Sequence, residues 1–269
     1  MIAAEALEAA QTALAAAGCD TPRLDAELLI ADALGVDRGA LYAEPRLEIA
    51  GSQARTIAER VRRRVAREPV AYILGRKGFR RIELAVDARV LIPRPETELL
   101  VEAALELPAG ARVHEVGTGS GAVAVALLDE RPDLVVTASD ASPLAVSVAR
   151  GNAARLGLPL EVSLRHGLPS GTWELVVANL PYVREDEWPS LAPEIRRWEP
   201  REALVAGEDG LAAIRALVAE APAGTRLALE HAPAQAAAVR AMLAGARTVR
   251  DLAGRERVTI GHAPHVCRL

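Results

Sequence analysis

Aromatic residues are scarce in this chain of 269 residues, which contains three Trp, three Tyr and one Phe. Aliphatic side chains must therefore fill the core, since 51% of the residues are hydrophobic. This composition, with 25% charged residues, is typical of a globular protein and argues against a disordered or fibrous one. An aromatic residue in a loop is consequently more in need of an explanation here than in most proteins.

Cysteine is also rare. Cys19 and Cys267 lie near opposite ends of the chain, outside any CxxC motif and without a nearby cluster of histidines. This pattern argues against a disulfide framework and against a zinc site. We therefore expect no bound metal and a reducing compartment.

Long apolar runs are missing, and no stretch approaches the roughly 20 residues that a membrane-spanning helix needs. The N-terminus alternates Glu with Ala, unlike the basic and then apolar pattern of a signal peptide. We expect a cytoplasmic protein without a membrane partner. Because the formal net charge is −4, the protein lacks a general attraction for phosphate backbones, which disfavours nucleic acid as a direct substrate.

The spacing of apolar residues divides the chain into three parts. Residues 1–75 carry leucines three and four positions apart, which predicts a small bundle of helices. Residues 76–95 contain short alternating segments and two prolines, which predict a β-hairpin linker. Strand and helix patterns alternate over residues 96–269, which predicts an α/β domain with a parallel sheet between helices.

The expected strands of this third part are at residues 112–116, 135–139, 161–164, 174–178, 226–230, 248–252 and 257–261. The connection between the last two strands is too short for a helical crossover. They should therefore form an antiparallel hairpin at one edge of the sheet.

A glycine-rich turn follows the first of these strands, where residues 115–121 read Glu-Val-Gly-Thr-Gly-Ser-Gly. Its glycines permit a tight turn and let a ligand approach backbone N–H groups at a helix N-terminus. The spacing differs from the GxGxxG of dinucleotide binders, and an acidic residue there would repel a pyrophosphate but favour the cationic groups of S-adenosylmethionine. The alternative is a purely structural turn. The expected cofactor-binding residues are Glu115, Gly117, Thr118, Gly119 and Gly121.

Asp140 ends the second strand, at about the distance along the chain where doubly wound nucleotide sites place an acid that binds ribose hydroxyls. The alternative is that Asp140 caps the helix that begins near Ser142, and the two roles are compatible.

The sharpest motif is Asn179-Leu180-Pro181-Tyr182, directly after an apolar strand. The carboxyl ends of parallel strands face the ligand crevice, so this tetrapeptide should lie where chemistry occurs. Pro181 favours an extended Leu180, whose carbonyl can join the Asn179 side-chain oxygen as two acceptors for one NH₂ group. The Tyr182 ring can lie against a planar substrate. The alternative is a plain Asn-Pro turn.

The tetrapeptide and the glycine-rich turn resemble those of seven-stranded methyltransferases that act on amide or exocyclic amino nitrogens. Further segments are similar to the release-factor glutamine N5-methyltransferase family (PrmC/HemK), from the N-terminal helices to the last strand. These segments are AYILG at residues 71–75, LIPRPETE at 91–98, WEP at 198–200, LEH at 229–231 and GRERV at 254–258.

The resemblance implies a seven-stranded, Rossmann-like class I methyltransferase domain at residues 96–269 and an all-helical domain at residues 1–75 that recognises the substrate. It implies S-adenosyl-L-methionine as the methyl donor and S-adenosyl-L-homocysteine as the product. The implied acceptor is the side-chain amide nitrogen (N5) of the glutamine in the Gly-Gly-Gln motif of peptide chain release factors, which would be the protein partner.

The resemblance also assigns residues individually. Residues 179–182 would be catalytic and substrate-binding, Asn179 would also contact the cofactor, and Gly167 would belong to the cofactor site. Arg94 would border the pocket and bind substrate. Two positions depart from the family pattern: Leu180 replaces a usual Pro, and His166-Gly167 replaces a usual Asp for the adenine amino group, so adenine must meet a backbone group or His166.

Two other functions are compatible with these motifs, namely an adenine or cytosine amino methyltransferase acting on DNA or RNA and a nucleotide-binding module without catalysis. Two other features of the sequence are expected to have structural rather than functional roles. The basic run at residues 60–67 is expected to be a solvated helix face rather than a docking surface, and His231 is expected to be structural rather than a catalytic base.

Overall fold

The structure is a computed structural model that describes residues 1–265, so Cys267 lies outside the described residues. The chain forms two compact units. One contains Met1–Gly75 together with Ala192–Trp198, and the other contains Arg76–Leu191 together with the described residues from Glu199 to His265. The first unit therefore takes one segment from far downstream in the sequence.

The first unit is helical, as the sequence predicts. Its helices are α1 (Ala3–Ala16), α2 (Pro22–Leu34), α3 (Ala40–Ala43), α4 (Gly51–Val65), α5 (Val70–Leu74) and the short downstream helix α9 (Pro193–Trp198). Small and branched side chains such as Ala10, Leu14 and Ile30 fill its core. Helix α2 ends at Gly35, whose φ of 70° is the left-handed conformation that commonly terminates a helix.

The basic run at residues 60–67 does not form one uniform face. Arg64 is buried and pairs with Asp25 at 2.7 Å and with Glu194 at 2.8 Å, and Arg67 pairs with Glu194 at 2.7 Å. Burial acts to raise the pKa of Glu194, but hydrogen bonds from both arginines help to hold it at about 2. Arg62, in contrast, is exposed. The expected solvated face is therefore wrong for Arg64, because carboxylates of its own unit compensate for its burial.

The second unit contains the strands β1 (Arg76–Phe79), β2 (Ile82–Ala85), β3 (Arg112–Val116), β4 (Val135–Asp140), β5 (Glu161–Leu164), β6 (Leu175–Ala178), β7 (Arg226–Glu230), β8 (Ala244–Arg250) and β9 (Glu256–His262). Its helices are α6 (Glu98–Leu105), α7 (Ala122–Glu130), α8 (Pro143–Arg155), α10 (Ala212–Glu220) and α11 (Ala236–Met242). None of the helices among residues 1–265 is long and apolar enough to span a membrane.

Seven of these strands form one sheet in the order β5-β4-β3-β6-β7-β9-β8, which confirms the predicted fold class. The first five are parallel, and β9 is antiparallel to both β7 and β8. Strands β4 and β5 lie on one side of β3, and the next strand in the chain, β6, lies on its other side. This reversal leaves a crevice at the carboxyl ends of β3, β4 and β6, where open α/β sheets bind ligands.

The terminal hairpin has the predicted antiparallel pairing, but β8 begins four residues earlier than the expected residue 248 and ends at Arg250. The pairing is irregular between Ala244 and Arg247, so this segment lacks the regular alternation of apolar and polar residues that predicts a strand. Asp251 ends β8 because its carboxylate accepts the backbone N–H groups of Ala253 and Arg255, each at 2.9 Å. The turn starts at this point.

Strands β1 and β2 form a separate antiparallel hairpin within the second unit. Phe79 and Leu84 are buried, so one face of the hairpin is apolar. Asn152 of α8 accepts the Ala85 N–H at 2.7 Å and donates to the Ala85 carbonyl at 3.0 Å. This amide pairs with the hairpin as a neighbouring strand would.

Candidate active site

A cavity of about 550 Å³ lies at the carboxyl ends of β3, β4 and β6. It is lined by most of the residues that the sequence singles out: Arg94, Glu115, Gly117, Thr118, Gly119, Asp140, Gly167, Asn179, Leu180 and Pro181. Gly121 and Tyr182 do not line it. Among residues 1–265 there is no group of His, Cys, Asp and Glu side chains that could hold a metal ion.

The glycine-rich turn connects β3 to α7. Gly117 has a φ of 75°, and a Cβ atom there would lie 2.9 Å from Cδ2 of Leu180. Gly121 is the N-cap residue of α7 and has a φ of 84°, and a Cβ atom there would lie 3.3 Å from Ala149 of α8. Gly117 therefore allows the turn to contact the tetrapeptide, whereas Gly121 allows close helix packing behind the cavity.

Glu115 is a buried carboxylate at the end of β3. Its Oε2 atom accepts hydrogen bonds from the Thr118 hydroxyl at 2.6 Å and from the Ala124 N–H at 3.0 Å. Burial raises its pKa to about 7, and these hydrogen bonds act in the opposite direction. A cation in the cavity would favour the charged form and would itself be stabilised by it.

Asp140 bridges two loops that border the cavity. Its Oδ2 atom accepts the Gly119 N–H at 2.8 Å, and its Oδ1 atom accepts the Ser142 N–H at 2.9 Å. The N-cap of α8 is Ser142, whose hydroxyl accepts the Ala145 N–H. Asp140 is thus not the capping residue itself; it holds the glycine-rich turn next to the start of α8 while its carboxylate lines the cavity.

Asn179 and Leu180 offer two acceptors that no described residue uses. The Asn179 Nδ2 atom donates to the Thr97 hydroxyl at 3.0 Å. Within residues 1–265, nothing donates to the Asn179 Oδ1 atom or to the Leu180 carbonyl. An amide held at one end in this way presents its oxygen in a defined direction.

Tyr182 is held from two sides and is nearly buried. Its hydroxyl donates to Oε1 of Glu230 at 3.2 Å, and its carbonyl accepts the Gln235 Nε2–H at 2.9 Å. Burial raises the pKa of Tyr182, and the neighbouring Glu230 carboxylate adds to the effect. A Cβ atom on Gly210 would lie 2.2 Å from the Tyr182 carbonyl, so glycine is required there.

The remaining predicted residues border the cavity. Gly167 has a φ of 69°, and a Cβ atom there would overlap the carboxylate of Glu220, which accepts the Leu168 N–H at 2.9 Å. His166 also lines the cavity. Arg94 donates to the buried Glu199, whose other oxygen accepts the Ile92 N–H.

His231 is fully buried at the end of β7. Its Nε2 atom is 2.8 Å from the Thr259 hydroxyl, and Nδ1 is 2.9 Å from the Ala232 carbonyl. Both ring nitrogens have protein partners, and the ring does not line the cavity. These contacts fit the structural reading.

The sequence did not single out Thr97, Glu230 or Gln235 as parts of the site. Thr97 and Glu230 fall within the segments PETE and LEH, which carry the family resemblance. Their partners are 82 and 48 residues away in sequence, and only the folded chain reveals those contacts.

The cavity fits the chemistry of S-adenosylmethionine. Glu115 could supply negative charge for its cationic groups, and Asp140 could supply a carboxylate for ribose hydroxyls. The turn before α7 provides backbone N–H groups, and its glycines leave room for close contact.

Two protein-family models match successive parts of the chain. A family model described as PrmC N-terminal domain matches residues 5–75, and one described as Methyltransferase small domain matches residues 95–195. The release factor glutamine methyltransferase of Caulobacter vibrioides is 41% identical over 96% of this chain and 95% of its own length. The protein of the same name from Pseudomonas aeruginosa is 44% identical over 90% of this chain and 94% of its own length.

Among solved structures, the release factor-specific protein-(glutamine-N5) methyltransferase of Alicyclobacillus acidocaldarius is 29% identical, with a TM-score of 0.38. The match covers 64% of this chain and 94% of that chain. The sequence relatives match both units over nearly their full length, and on their evidence the chain belongs to the release factor glutamine methyltransferase family.

Proposed function

We propose that the protein transfers a methyl group from S-adenosylmethionine to the side-chain amide nitrogen (N5) of a glutamine in peptide chain release factors. The observation that carries this proposal is the pair of unused acceptors, Asn179 Oδ1 and the Leu180 carbonyl, beside a cavity that contains two carboxylates. A primary amide has two N–H donors, which matches two acceptors. The names of the relatives supply the acceptor class.

Cofactor binding is assigned to the residues around the glycine-rich turn. S-adenosylmethionine, when bound, supplies a methyl group on a sulfonium centre. Glu115 and Asp140 would hold the cationic and ribose parts, and Gly117, Thr118 and Gly119 would border them. The backbone at Gly167 and the side chain of His166 are the candidates for adenine recognition, because both line the cavity.

The chemical difficulty is the weak nucleophilicity of an amide nitrogen, because its lone pair is delocalised into the carbonyl. Positive charge develops on this nitrogen as its new bond forms. Acceptors at Asn179 and Leu180 would hold both N–H groups and stabilise that charge more strongly in the transition state than in the ground state. Their positions would also orient the nitrogen for an in-line approach. The methylated nitrogen would then release its acidic proton to solvent, so no strong general base is needed.

Substrate recognition beyond the glutamine is assigned to the helical unit and to Arg94. The Arg94 side chain is held by Glu199 and lines the cavity, so it can contact the loop that carries the glutamine. Because release factors act on ribosomes, the proposed location is the cytoplasm.

The test is mass spectrometry of purified release factors after incubation with the protein and isotope-labelled S-adenosylmethionine. The expected result is one added methyl group on the glutamine of the Gly-Gly-Gln loop. A release factor in which this glutamine is replaced by Ala is the control. Methylation of DNA or RNA in place of any release factor would refute the proposal, and cofactor binding without transfer to any of them would indicate a binding module.

A further inference from the structure

Gln235 is a buried amide directly before α11, and the mechanism above gives it no role. Its Oε1 atom accepts the Ala232 N–H at 3.0 Å, and its Nε2 atom donates to the carbonyls of Tyr182 at 2.9 Å and Asp209 at 3.1 Å. A side-chain NH₂ group has two N–H donors, so both are used. All three partners are backbone groups with a fixed role as donor or acceptor, so together they set the orientation of the amide.

The bond to the Tyr182 carbonyl holds the C-terminal end of the tetrapeptide. The peptide group between Tyr182 and Val183 is held on both sides, because the Val183 N–H donates to the Leu204 carbonyl at 2.8 Å. The backbone of Leu180 and the Tyr182 N–H make no hydrogen bond within residues 1–265. Pro181 has a nearly fixed φ, so few free torsion angles separate the Leu180 carbonyl from this peptide group. The peptide group after Tyr182 therefore anchors the Leu180 carbonyl.

The bond to the Asp209 carbonyl joins a wall of the cavity to the same anchor. Asp209 lies on the chain between Ala203 and Ala213, both of which line the cavity. A Cβ atom on the next residue, Gly210, would lie 2.6 Å from Nε2 of the glutamine, so glycine allows this close approach. The glutamine itself does not line the cavity, so it can act on a bound substrate only through the segments that it joins.

We propose that Gln235 is a positioning residue for methyl transfer, which holds the tetrapeptide against the segment of residues 203–213 so that the Leu180 carbonyl faces the substrate amide. The role in transfer rests on the proposed function, whereas the anchor itself does not. Loss of the donor leaves the Tyr182 carbonyl unsatisfied, which costs free energy unless the peptide group turns toward another donor. Such a turn would displace the Leu180 acceptor, and a displacement of about 1 Å can lower a rate on the order of 100-fold.

The main variant is Gln235→Met, which keeps the length of the side chain and removes both donors. We expect kcat for transfer to release factor to fall about 10- to 100-fold, while the Kd of S-adenosylmethionine changes less than about twofold. The rate is expressed per bound S-adenosylmethionine, so molecules that fail to fold do not contribute to it. An unchanged kcat, or a loss found only in the Kd, would overturn the inference.

Gln235→Glu separates the two donors from the capping bond at Ala232. It keeps an oxygen for the Ala232 N–H, but its carboxyl group has at most one O–H donor for the two carbonyls. We expect kcat to fall at least about threefold in this variant. A wild-type kcat in Gln235→Glu beside a low kcat in Gln235→Met would assign the loss to the capping bond and would contradict the proposed role.

Arg215→Ala is the matched control for the segment that carries Asp209. Arg215 forms an exposed ion pair with the Asp209 side chain, and its removal leaves the Asp209 carbonyl in place. It should change kcat less than about twofold, because exposed ion pairs contribute little. A loss as large as that of Gln235→Met would show that the segment is sensitive to any change, and the role of the glutamine would not stand.

Hydrogen exchange of the Val183 N–H tests the anchor without any methyl acceptor. This N–H belongs to the same peptide group as the Tyr182 carbonyl, so it should exchange at least about tenfold faster in Gln235→Met and within about twofold of the wild-type rate in Arg215→Ala. Unchanged exchange at Val183 in Gln235→Met would overturn the inference. If the wild-type protein methylates no release factor while this difference in exchange is observed, only the proposed function is refuted.

Discussion

Substitution of Asn179 by Ala removes the one side-chain acceptor of the tetrapeptide. The Leu180 carbonyl remains, so the substrate amide would keep one of its two acceptors. Loss of a single preorganised hydrogen-bonding group that acts on developing charge lowers kcat by on the order of 10²–10³, or about 2.7–4 kcal/mol. Because Asn179 makes its one side-chain hydrogen bond to Thr97, rather than to the glycine-rich turn, the Kd of S-adenosylmethionine should change little.

The change also leaves the Thr97 hydroxyl without its donor. One lost hydrogen bond contributes about 1 kcal/mol to the free energy of unfolding, which is far too small to unfold the unit. Asn179→Ala should therefore lose most of its activity with only a small loss of stability. The assay is single-turnover methyl transfer to purified release factor, with calorimetry for cofactor affinity and thermal unfolding for stability.

Asn179→Asp is the informative companion variant. It keeps an oxygen directed at the substrate but cannot donate to Thr97, and it adds a negative charge near the developing positive charge. We expect activity between that of the wild type and that of Asn179→Ala. Retention of most of the wild-type kcat by Asn179→Ala would refute the mechanism with two acceptors.

Four further predictions concern other positions. Leu180→Pro should lower kcat less than about fivefold, because the carbonyl remains and the Leu180 N–H donates to no group within residues 1–265, so a loss as large as that of Asn179→Ala would contradict the assigned backbone role. Asp140→Ala should weaken S-adenosylmethionine binding by at least roughly 1.5–3 kcal/mol in calorimetry, and unchanged affinity would remove this carboxylate from the site. Because the pKa of Glu115 is raised to about 7, its negative charge is lost as the pH falls through that value. Affinity for the cationic cofactor should therefore weaken below about pH 7 in the wild type but not in Glu115→Gln. In the protein without cofactor, the same raised pKa contributes stability at low pH, and this contribution is lost as the pH rises from about 4.5 to about 7. Arg64→Ala should destabilise the helical unit by about 3 kcal/mol in denaturant unfolding because it leaves the buried Asp25 carboxylate without its ion-pair partner, whereas Arg62→Ala, at an exposed position, should change stability by less than about 0.5 kcal/mol.

The sequence was sufficient to predict the sheet because its strands are buried and continuous. Strands β3, β5 and β7 have the predicted boundaries, and the order of strand, glycine-rich turn and helix placed Glu115 and Asp140 beside one cavity. β8 began earlier than predicted because its first residues pair irregularly and carry little hydrophobic pattern. Boundaries depend on pairing partners, and a local pattern does not include those partners.

Side-chain orientation was beyond the reach of sequence patterns. The motif at residues 179–182 was predicted to lie at the cavity, but the tyrosine was expected as a flat platform, and its hydroxyl is bonded to Glu230. The contact between Gly117 and Leu180 depends on side-chain packing across two strands. Such contacts join residues that are distant in sequence, so periodicity and spacing contain no signal for them.

The ion pairs of Glu194 have a consequence for the order of events during synthesis. Arg67 leaves the ribosome 127 residues before its carboxylate partner. At roughly 5–20 residues per second, this separation corresponds to a delay on the order of 10 s. During that interval the nascent helical unit has two arginines without Glu194, so its final ion-pair network can form only after most of the chain has been translated.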